Sequence, residues 1–381
     1  MVFIEETTVH MIAYKYKLYT TKNTKHLDAM LREACFVWNH ALALQKRYYR
    51  LYRKYISAVT MQKHFTRRIK RTYLHSQSTQ EILQRLDNAY QRFFKHKAKR
   101  PPKFKKAKEF TSFCYKQGGF ALNGNTFHVN SVKKKYKFSL SRPYLGKVKQ
   151  VMVKRSHLNE YYICIVTDAV SQPYAKTHNG ASVGIDFGLK TYMTFSDGRK
   201  LNHPQFLKKD LRALRKASRK HSRCMNGSNH KGQARLSLCR LHERITNRRV
   251  DYQWKLAHEL CRKYDTIFIE DLNLTGMGKL WGRKMSDLGH GRFCCILEAV
   301  ASKYGCTVHK IDRWFPSSRL CDCGYKNDSL RLYDREWVCP ECGQVHDRDM
   351  HAAEMILRSG IYELTSDGKT IGACGFQGCH A

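Results

Sequence analysis

The stretch "ASVGIDFGLKTYMTFSDGRKL", residues 181–201, opens with a short apolar run that ends on an acid, Asp186, and continues into a hairpin pattern around Asp197-Gly198. An unbroken apolar run predicts a strand covered on both faces. A second run of this kind, "YDTIFIEDLNL" at 264–274, stops at Glu270. Along it Phe268 and Glu270 share one face, while Ile267 and Ile269 point the other way. Two ionised carboxylates held near a core are costly, and a divalent cation removes the cost. Magnesium takes a few carboxylate oxygens and keeps several waters, which suits phosphate chemistry. Two further acids, Asp347 and Asp349 in "HDRD", open a helical pattern near Met350. Taken singly, each acid also has a plain reading. Asp186 could be a turn residue, Glu270-Asp271 could exit a strand into solvent, and Asp347 or Asp349 could cap a helix.

The chain around these runs is strongly basic. Seventy Lys and Arg against thirty-one Asp and Glu leave a net charge of +39, spread along all 381 residues, so a polyanion is the expected partner. Nucleic acid fits this spread better than a membrane surface, because no single amphipathic helix holds the charge. The start, "MVFIEETTVHMIAYKYKLY", lacks a signal pattern and no run reaches membrane-spanning length. Fifteen cysteines, mostly single, argue against a disulfide framework and for a reducing compartment, cytosol or nucleoid. Cys294-Cys295, Cys374 and Cys379 are expected to be isolated thiols.

Before the linker-like segment 171–181, the pattern is mixed. Residues 11–19 alternate as a strand, and His26 to about Tyr55 repeats at helical steps through Leu27, Met30, Leu31, Ala34, Trp38, Ala41 and Tyr48. Ser78 and Glu81 form a capping-box pattern ahead of Ile82, Leu83, Leu86 and Tyr90. "HFTRRIKRTY" and "KHKAKRPPKFKKAK" (95–108) interleave basic and aromatic residues and are read as phosphate-gripping ribbons. From about Phe110 to Val170 strands dominate, with a hairpin at Asn123-Gly124 and another around His157-Leu158-Asn159. After the linker, 205–263 predicts a basic helical pair, "GRFCCILEAVASKYG" a helix ended by Gly305, and "CTVHKIDRWF" a strand. Cys321, Cys323, Cys339 and Cys342 then form two knuckles at metal-ligand spacing, and a helix follows at about 350–358.

An acid at one strand end, a second at a later strand end and a third opening a late helix is the order used by ribonuclease-H-like nucleases. "GIDFGLKTYMTFSDG", "IFIEDLNLTGM", "FPSSRLCDCGY", "CPECGQVHDRDMHAAEMI" and "ACFVWNHALAL" together resemble the TnpB (OrfB) family, transposon-encoded RNA-guided DNA endonucleases related to type V CRISPR effectors. The resemblance runs from about residue 11 to 358. It implies an α+β multidomain chain: a wedge-type β-barrel with an inserted helical recognition lobe, followed by a RuvC/ribonuclease-H-like α/β nuclease domain carrying a zinc-ribbon insertion. The expected parts are wedge barrel at 1–25 and 100–172, recognition lobe at 26–99, linker at 173–181, nuclease domain at 182–316, zinc ribbon at 317–346, last nuclease helix at 347–358 and a flexible tail at 359–381.

The resemblance further implies that Asp186, Glu270 and Asp349 hold two magnesium ions as the catalytic set, with Asp347 supporting or capping. A nuclease-inactive RNA-guided repressor is the alternative, and the intact acid set favours the nuclease. Four cysteines would hold a structural zinc. The first knuckle, Cys321-x-Cys323, is one residue short of the family pattern, and Asp322 or His346 could substitute. His351 stands where the family mostly has Asn. Partners would be a guide RNA from the transposon end and double-stranded target DNA, bound by a monomeric ribonucleoprotein that reads a short target-adjacent motif. Candidates for that reading are Gln80 and Gln84, with Thr111 and Ser112. Lys103, Lys105 and Lys106 of the 95–108 ribbon, with the 205–250 helices, would hold RNA. A transposase joining strands and a zinc-ribbon ribosomal protein are rivals; the motifs oppose the first, and the chain length and strand-end acids oppose the second.

Overall fold

The computed structural model describes residues 11–19, 24–70, 72–169, 173–176, 178–331 and 333–366. The chain divides into two compact units, 1–171 and 172–381.

The first unit runs β1 (Ile12–Lys17), α1 (Lys25–Tyr52), α2 (Ala58–Arg68), α3 (Ser76–Phe94), β2 (Ser112–Tyr115), β3 (Phe120–Asn123), β4 (Thr126–Val129), β5 (Lys134–Lys137), β6 (Val148–Arg155) and β7 (Tyr161–Thr167). α1 buries the stripe its period announces, from Leu27 through Ala41. It packs with α2 and α3 over an antiparallel sheet ordered β1-β7-β6-β2, while β3-β4-β5 is a separate meander. Among the described residues these sheets do not close into the expected barrel. Their link is one bridge, Leu18 to Phe138, and the chain leaves β2 through Gly119 at φ +85° to begin the meander.

Three local readings change here. "HFTRRIKRTY" is no ribbon at its start: Ser57 caps α2, accepting from the Thr60 N–H at 3.3 Å, and Met61 and Phe65 are buried one turn apart. α3 begins before the Ser78/Glu81 pattern, because the His75 ring caps it by accepting from the Gln77 N–H at 3.3 Å. Ser78 is then buried inside the helix, and Glu81 pairs with Arg85 at 2.8 Å. In the first hairpin Asn123 pairs with Thr126, so the two-residue turn is Gly124-Asn125.

The second unit runs β8 (Ser182–Asp186), β9 (Met193–Phe195), β10 (Lys200–Leu201), α4 (Phe206–Arg223), α5 (Asn229–Lys263), β11 (Thr266–Glu270), α6 (Leu274–Leu288), α7 (His290–Tyr304), β12 (Thr307–Ile311), β13 (Glu336–Val338), β14 (Val345–Asp347) and α8 (Arg348–Ser366). The sheet order is β10-β9-β8-β11-β12, with β8, β11 and β12 parallel. Val183, Ile185, Ile267 and Ile269 face a core completed by α5 and α7. Phe268 and Ile311 face the other way, against Ile356 and Leu364 of α8. α8 lies hard on this second face. A Cβ at Gly184 would stand 2.2 Å from the Ala353 carbonyl oxygen, and one at Gly360 would stand 2.0 Å from the Phe268 ring.

α6 has no counterpart in the sequence reading, since Gly276, Gly278 and Gly282 mask its pattern. Asn273 caps it, accepting from the Gly276 N–H at 3.0 Å. α8 continues to Ser366, so 359–366 are helix and not tail; Cys374 and Cys379 lie outside the described residues. The described part of the linker is pinned: the Asn179 and Gly180 N–H groups donate to Asp265 at 2.7 and 2.6 Å.

Candidate active site

Parallel pairing of β8 with β11 sets Ile185 opposite Ile269, so the next residue of each strand is an acid. Asp186 and Glu270 thus end neighbouring strands on the face that α8 covers. α8 starts directly from β14, and its first turn carries Asp349. Asp347 caps the helix, accepting from the Met350 N–H at 3.0 Å, and pairs with Lys200 at 2.6 Å.

The electrostatics of the two strand-end acids are those of carboxyls lacking a close counter-charge. Burial, then the charges of Glu270 and Asp349, push Asp186 up to about 8, outweighing Arg348 and Arg335. Burial also raises Glu270, opposed by Ser317, whose hydroxyl donates to Oε1 at 2.6 Å. Arg335 reaches both Asp349 oxygens at 3.0 and 3.1 Å. With only Asp349 paired to a cation among the described residues, this oxygen donor set fits a hard divalent ion. Its oxygens are less tightly gathered than the thiols: among the described residues, only the four cysteines form a group of three or more with all ligand atoms within 4.8 Å of one another.

Those thiols lie at Cys321–Cys342 and Cys323–Cys339 Sγ separations of 3.5 Å. Four sulfurs at about 2.3 Å from one zinc stand about 3.8 Å apart, far from a disulfide at about 2.05 Å, so the cluster fits zinc. The shortened knuckle keeps its amide support: the Cys323 N–H faces the Cys321 sulfur and the Tyr325 N–H faces Cys323. Asp322 is no substitute ligand, being bound to Arg358 of α8 at 2.5 Å. His346 lies beside the cluster, 3.2 Å from the Cys321 sulfur. The His351 ring meets that of His346 at a tilt of 43° with centroids 4.0 Å apart and bonds the Leu320 carbonyl at 2.7 Å. The ribbon is therefore fastened to the helix that carries Asp349. Arg348 adds to this, its backbone N–H donating to the Arg335 carbonyl at 2.8 Å and its guanidinium to that of Arg331 at 2.7 Å.

Ser317, Arg335 and Arg348 escaped the sequence reading. Arg348 stands inside "HDRD" and Ser317 follows "FP", but neither these positions nor that of Arg335 signals a site role, because only the fold brings them to the acids.

The expected nucleic-acid contacts are dispersed over the first unit. Gln80 is exposed on α3, beyond its free first-turn N–H groups, which removes the helix-terminus argument for it. Gln84 is half-buried and donates to Asn88 at 3.3 Å. The Thr111 carbonyl accepts from the Arg155 N–H at 2.7 Å, and Ser112 accepts from Arg85 at 3.2 Å. The 95–108 ribbon is stitched along α1: the Lys103 carbonyl accepts from Trp38 at 3.1 Å and that of Lys105 from Asn39 at 2.8 Å. The Lys105 ammonium sits 3.9 Å over the Trp38 ring, leaving Lys103 and Lys106 exposed. In the second unit, Arg212, Arg215, Lys216, Arg219, Lys220 and Arg223 line one groove along α4.

Three family models match the chain. OrfB_IS605, described as a probable transposase, covers residues 164–280; a Cas12f1-like TNB domain covers 290–356; and a helix-turn-helix domain covers 11–54, where the structure has β1 and the single long α1. A Streptomyces pristinaespiralis protein assigned as an RNA-guided DNA endonuclease is 33% identical over 362 residues, spanning 92% of this chain and 89% of its own. InsQ of Escherichia coli (strain K12), assigned likewise, is 30% identical over 354 residues, 86% and 87% of the two chains. The chain is similar in fold to Cas12f1 in a cryo-EM structure of the Cas12f1-sgRNA-target DNA complex, with a TM-score of 0.57 at 14% identity over 88% of this chain and 83% of that one. It is also similar to the mini-RNA-guided endonuclease Cas_phi3, with a TM-score of 0.54 at 9% identity over 96% and 94%. Alignable over 92% and 86% of its length with relatives at 33% and 30% identity, and carrying the transposase and TNB segments in one chain, the protein belongs to the TnpB family of RNA-guided DNA endonucleases.

Proposed function

We propose that this protein is an RNA-guided DNA endonuclease of a transposable element, cutting guide-matched DNA by RuvC-type, magnesium-dependent phosphodiester hydrolysis. The observation that carries the reading is the register of β8 on β11, which sets Asp186 beside Glu270 under the helix bearing Asp349. Two magnesium ions held by these three acids would supply activation of the attacking water and stabilisation of the leaving oxygen. The chain's own residues prepare the site. Ser317 orients Glu270, Asp347 fixes the start of α8, and Arg335 holds Asp349 in place while its oxygens are free of metal. Zinc on Cys321, Cys323, Cys339 and Cys342 is structural, because four protein ligands leave no open position.

Sequence choice belongs to a guide RNA from the transposon end, in a monomeric ribonucleoprotein of the cytosol or nucleoid. The wedge segments 1–25 and 100–172 and the recognition lobe 26–99 form the end that meets the target-adjacent motif, with Gln80, Gln84, Thr111 and Ser112 as its contacts. Lys103, Lys105, Lys106 and the basic face of α4 hold RNA and heteroduplex. Nuclease motifs occupy 182–316 and 347–358, with the ribbon between them at 317–346. Among the described residues no helix is long and apolar enough to cross a membrane.

The test begins with RNA that co-purifies with the protein, expected to be one discrete species ending in a variable guide. With that guide, a matched plasmid is cut in magnesium and Asp186→Ala abolishes the cut. A plasmid that stays intact while bound would assign the repressor role instead.

A further inference from the structure

The loop after β12 carries a side chain that packing does not explain. Trp314 is 84% exposed, whereas Phe315 beside it packs on the Phe268–Ile311 cluster. Side chains on both sides of Trp314 tie its loop to the strand end that presents Glu270. Arg313 donates to the Asp271 carbonyl at 2.9 Å and to its carboxylate at 2.5 Å, and Ser317 donates to Glu270 at 2.6 Å. Within the loop, the Trp314 N–H donates to the Asp312 carboxylate at 3.2 Å. An indole is thereby presented to water from a tied loop, close in sequence to Ser317, which bonds a carboxylate of the proposed metal site.

Single exposed apolar side chains are common on protein surfaces, so it is the position of this ring beside the acids, and not its exposure alone, that points to an occupant. Before metal arrives the acid set itself offers a phosphate backbone no attraction, so a charge-independent grip is useful at this edge. Stacking supplies one, since every base has a π-face and stacking tolerates any sequence. Paired bases are stacked on one another and offer no free face, so the fitting occupant is an unpaired strand. The chain's charge of +39 suits that polyanion.

We infer that Trp314 stacks on an unpaired base of the DNA strand entering the Asp186–Glu270–Asp349 site, as a positioning residue that seats the neighbouring phosphate over the acids. The inference rests on the nuclease reading above, and its test has an arm that does not need cleavage. In the Asp186→Ala background, full-length ribonucleoprotein is titrated with a short single-stranded oligodeoxynucleotide while tryptophan emission is followed. Quenching is expected, lost with an abasic strand of equal length and lost in Trp314→Phe, whose ring does not emit with tryptophan. In the cleavage-competent protein, Trp314→Ala is expected to slow single-turnover cutting about ten-fold, the loss of one stacked base. Guide-dependent target binding stays at the wild-type level, and Trp314→Phe recovers most of the rate. Equal quenching by base-bearing and abasic strands, or cutting by Trp314→Ala at the wild-type rate, overturns the inference and leaves the nuclease reading standing. Equal losses of target binding and of cutting in Trp314→Ala also overturn it. A wild-type protein that never cuts overturns the nuclease reading, and the emission arm still judges the stacking.

Discussion

In Asp186 the fold keeps a carboxylate beside Glu270 and beneath α8, and burial with the two neighbouring acids lifts it to about 8. The folded chain therefore holds a proton there that the unfolded chain releases near pH 4. With metal chelated, this group costs stability as pH rises from about 4 toward 8. Asp186→Asn is expected to melt higher than the wild type in chelator at pH 8, by on the order of a few kcal/mol, with the gap closing toward pH 4. The same variant should show no cleavage. His290 has the opposite sign. Burial between Phe187 and Tyr192, with some repulsion from His203, pushes it down to about 4. The unfolded chain takes up a proton near pH 6.5 that the folded chain refuses, so stability falls as pH drops from 6.5 to 4. His290→Phe should flatten that acid limb, worth about 3 kcal/mol across the window in melts at stepped pH.

α8 is the element on which the candidate site depends, and two glycines let it sit. A methyl at Gly184 would meet the Ala353 carbonyl and the Leu357 N–H, both helix backbone, so the helix itself must shift. Gly184→Ala is expected to cost about 1–3 kcal/mol in urea melts. Displacing Asp349 by an ångström should slow cleavage roughly 10²-fold with guide RNA still bound. The ribbon holds the same helix through His351–Leu320 and Arg358–Asp322. Cys323→Ser should lower the zinc content of the purified protein in a colorimetric assay and speed hydrogen exchange across 336–352, slowing the cut without freeing the RNA. Elements with a clean period were legible beforehand: the α1 stripe, the strand ends at Asp186 and Glu270, and the β6–β7 hairpin. α6 was hidden by its glycines. The Ser78/Glu81 pattern misled because a histidine can cap a helix and a serine can be buried inside one. Ser317 and Arg335 were illegible as site residues because their partners are 47 and 14 positions away, brought near only by the fold.

At the scale of the molecule, charge sets behaviour. Each neutralised phosphate contributes roughly −0.7 to −0.9 to the slope of log K against log salt. Replacing Arg212, Arg215, Arg219 and Arg223 by Gln should flatten the slope for RNA binding by about 3, read from filter binding at stepped salt. An unchanged slope would remove α4 from the RNA-holding surface. The placement of α8 at the far end of the second unit also bears on synthesis. Until a ribosome has passed Leu364, Phe268 and Ile311 have no helix to lie against and Asp349 cannot be seated beside the other two acids. A nascent chain can thus form the core of its first unit well before α8 brings Asp349 to the strand-end acids.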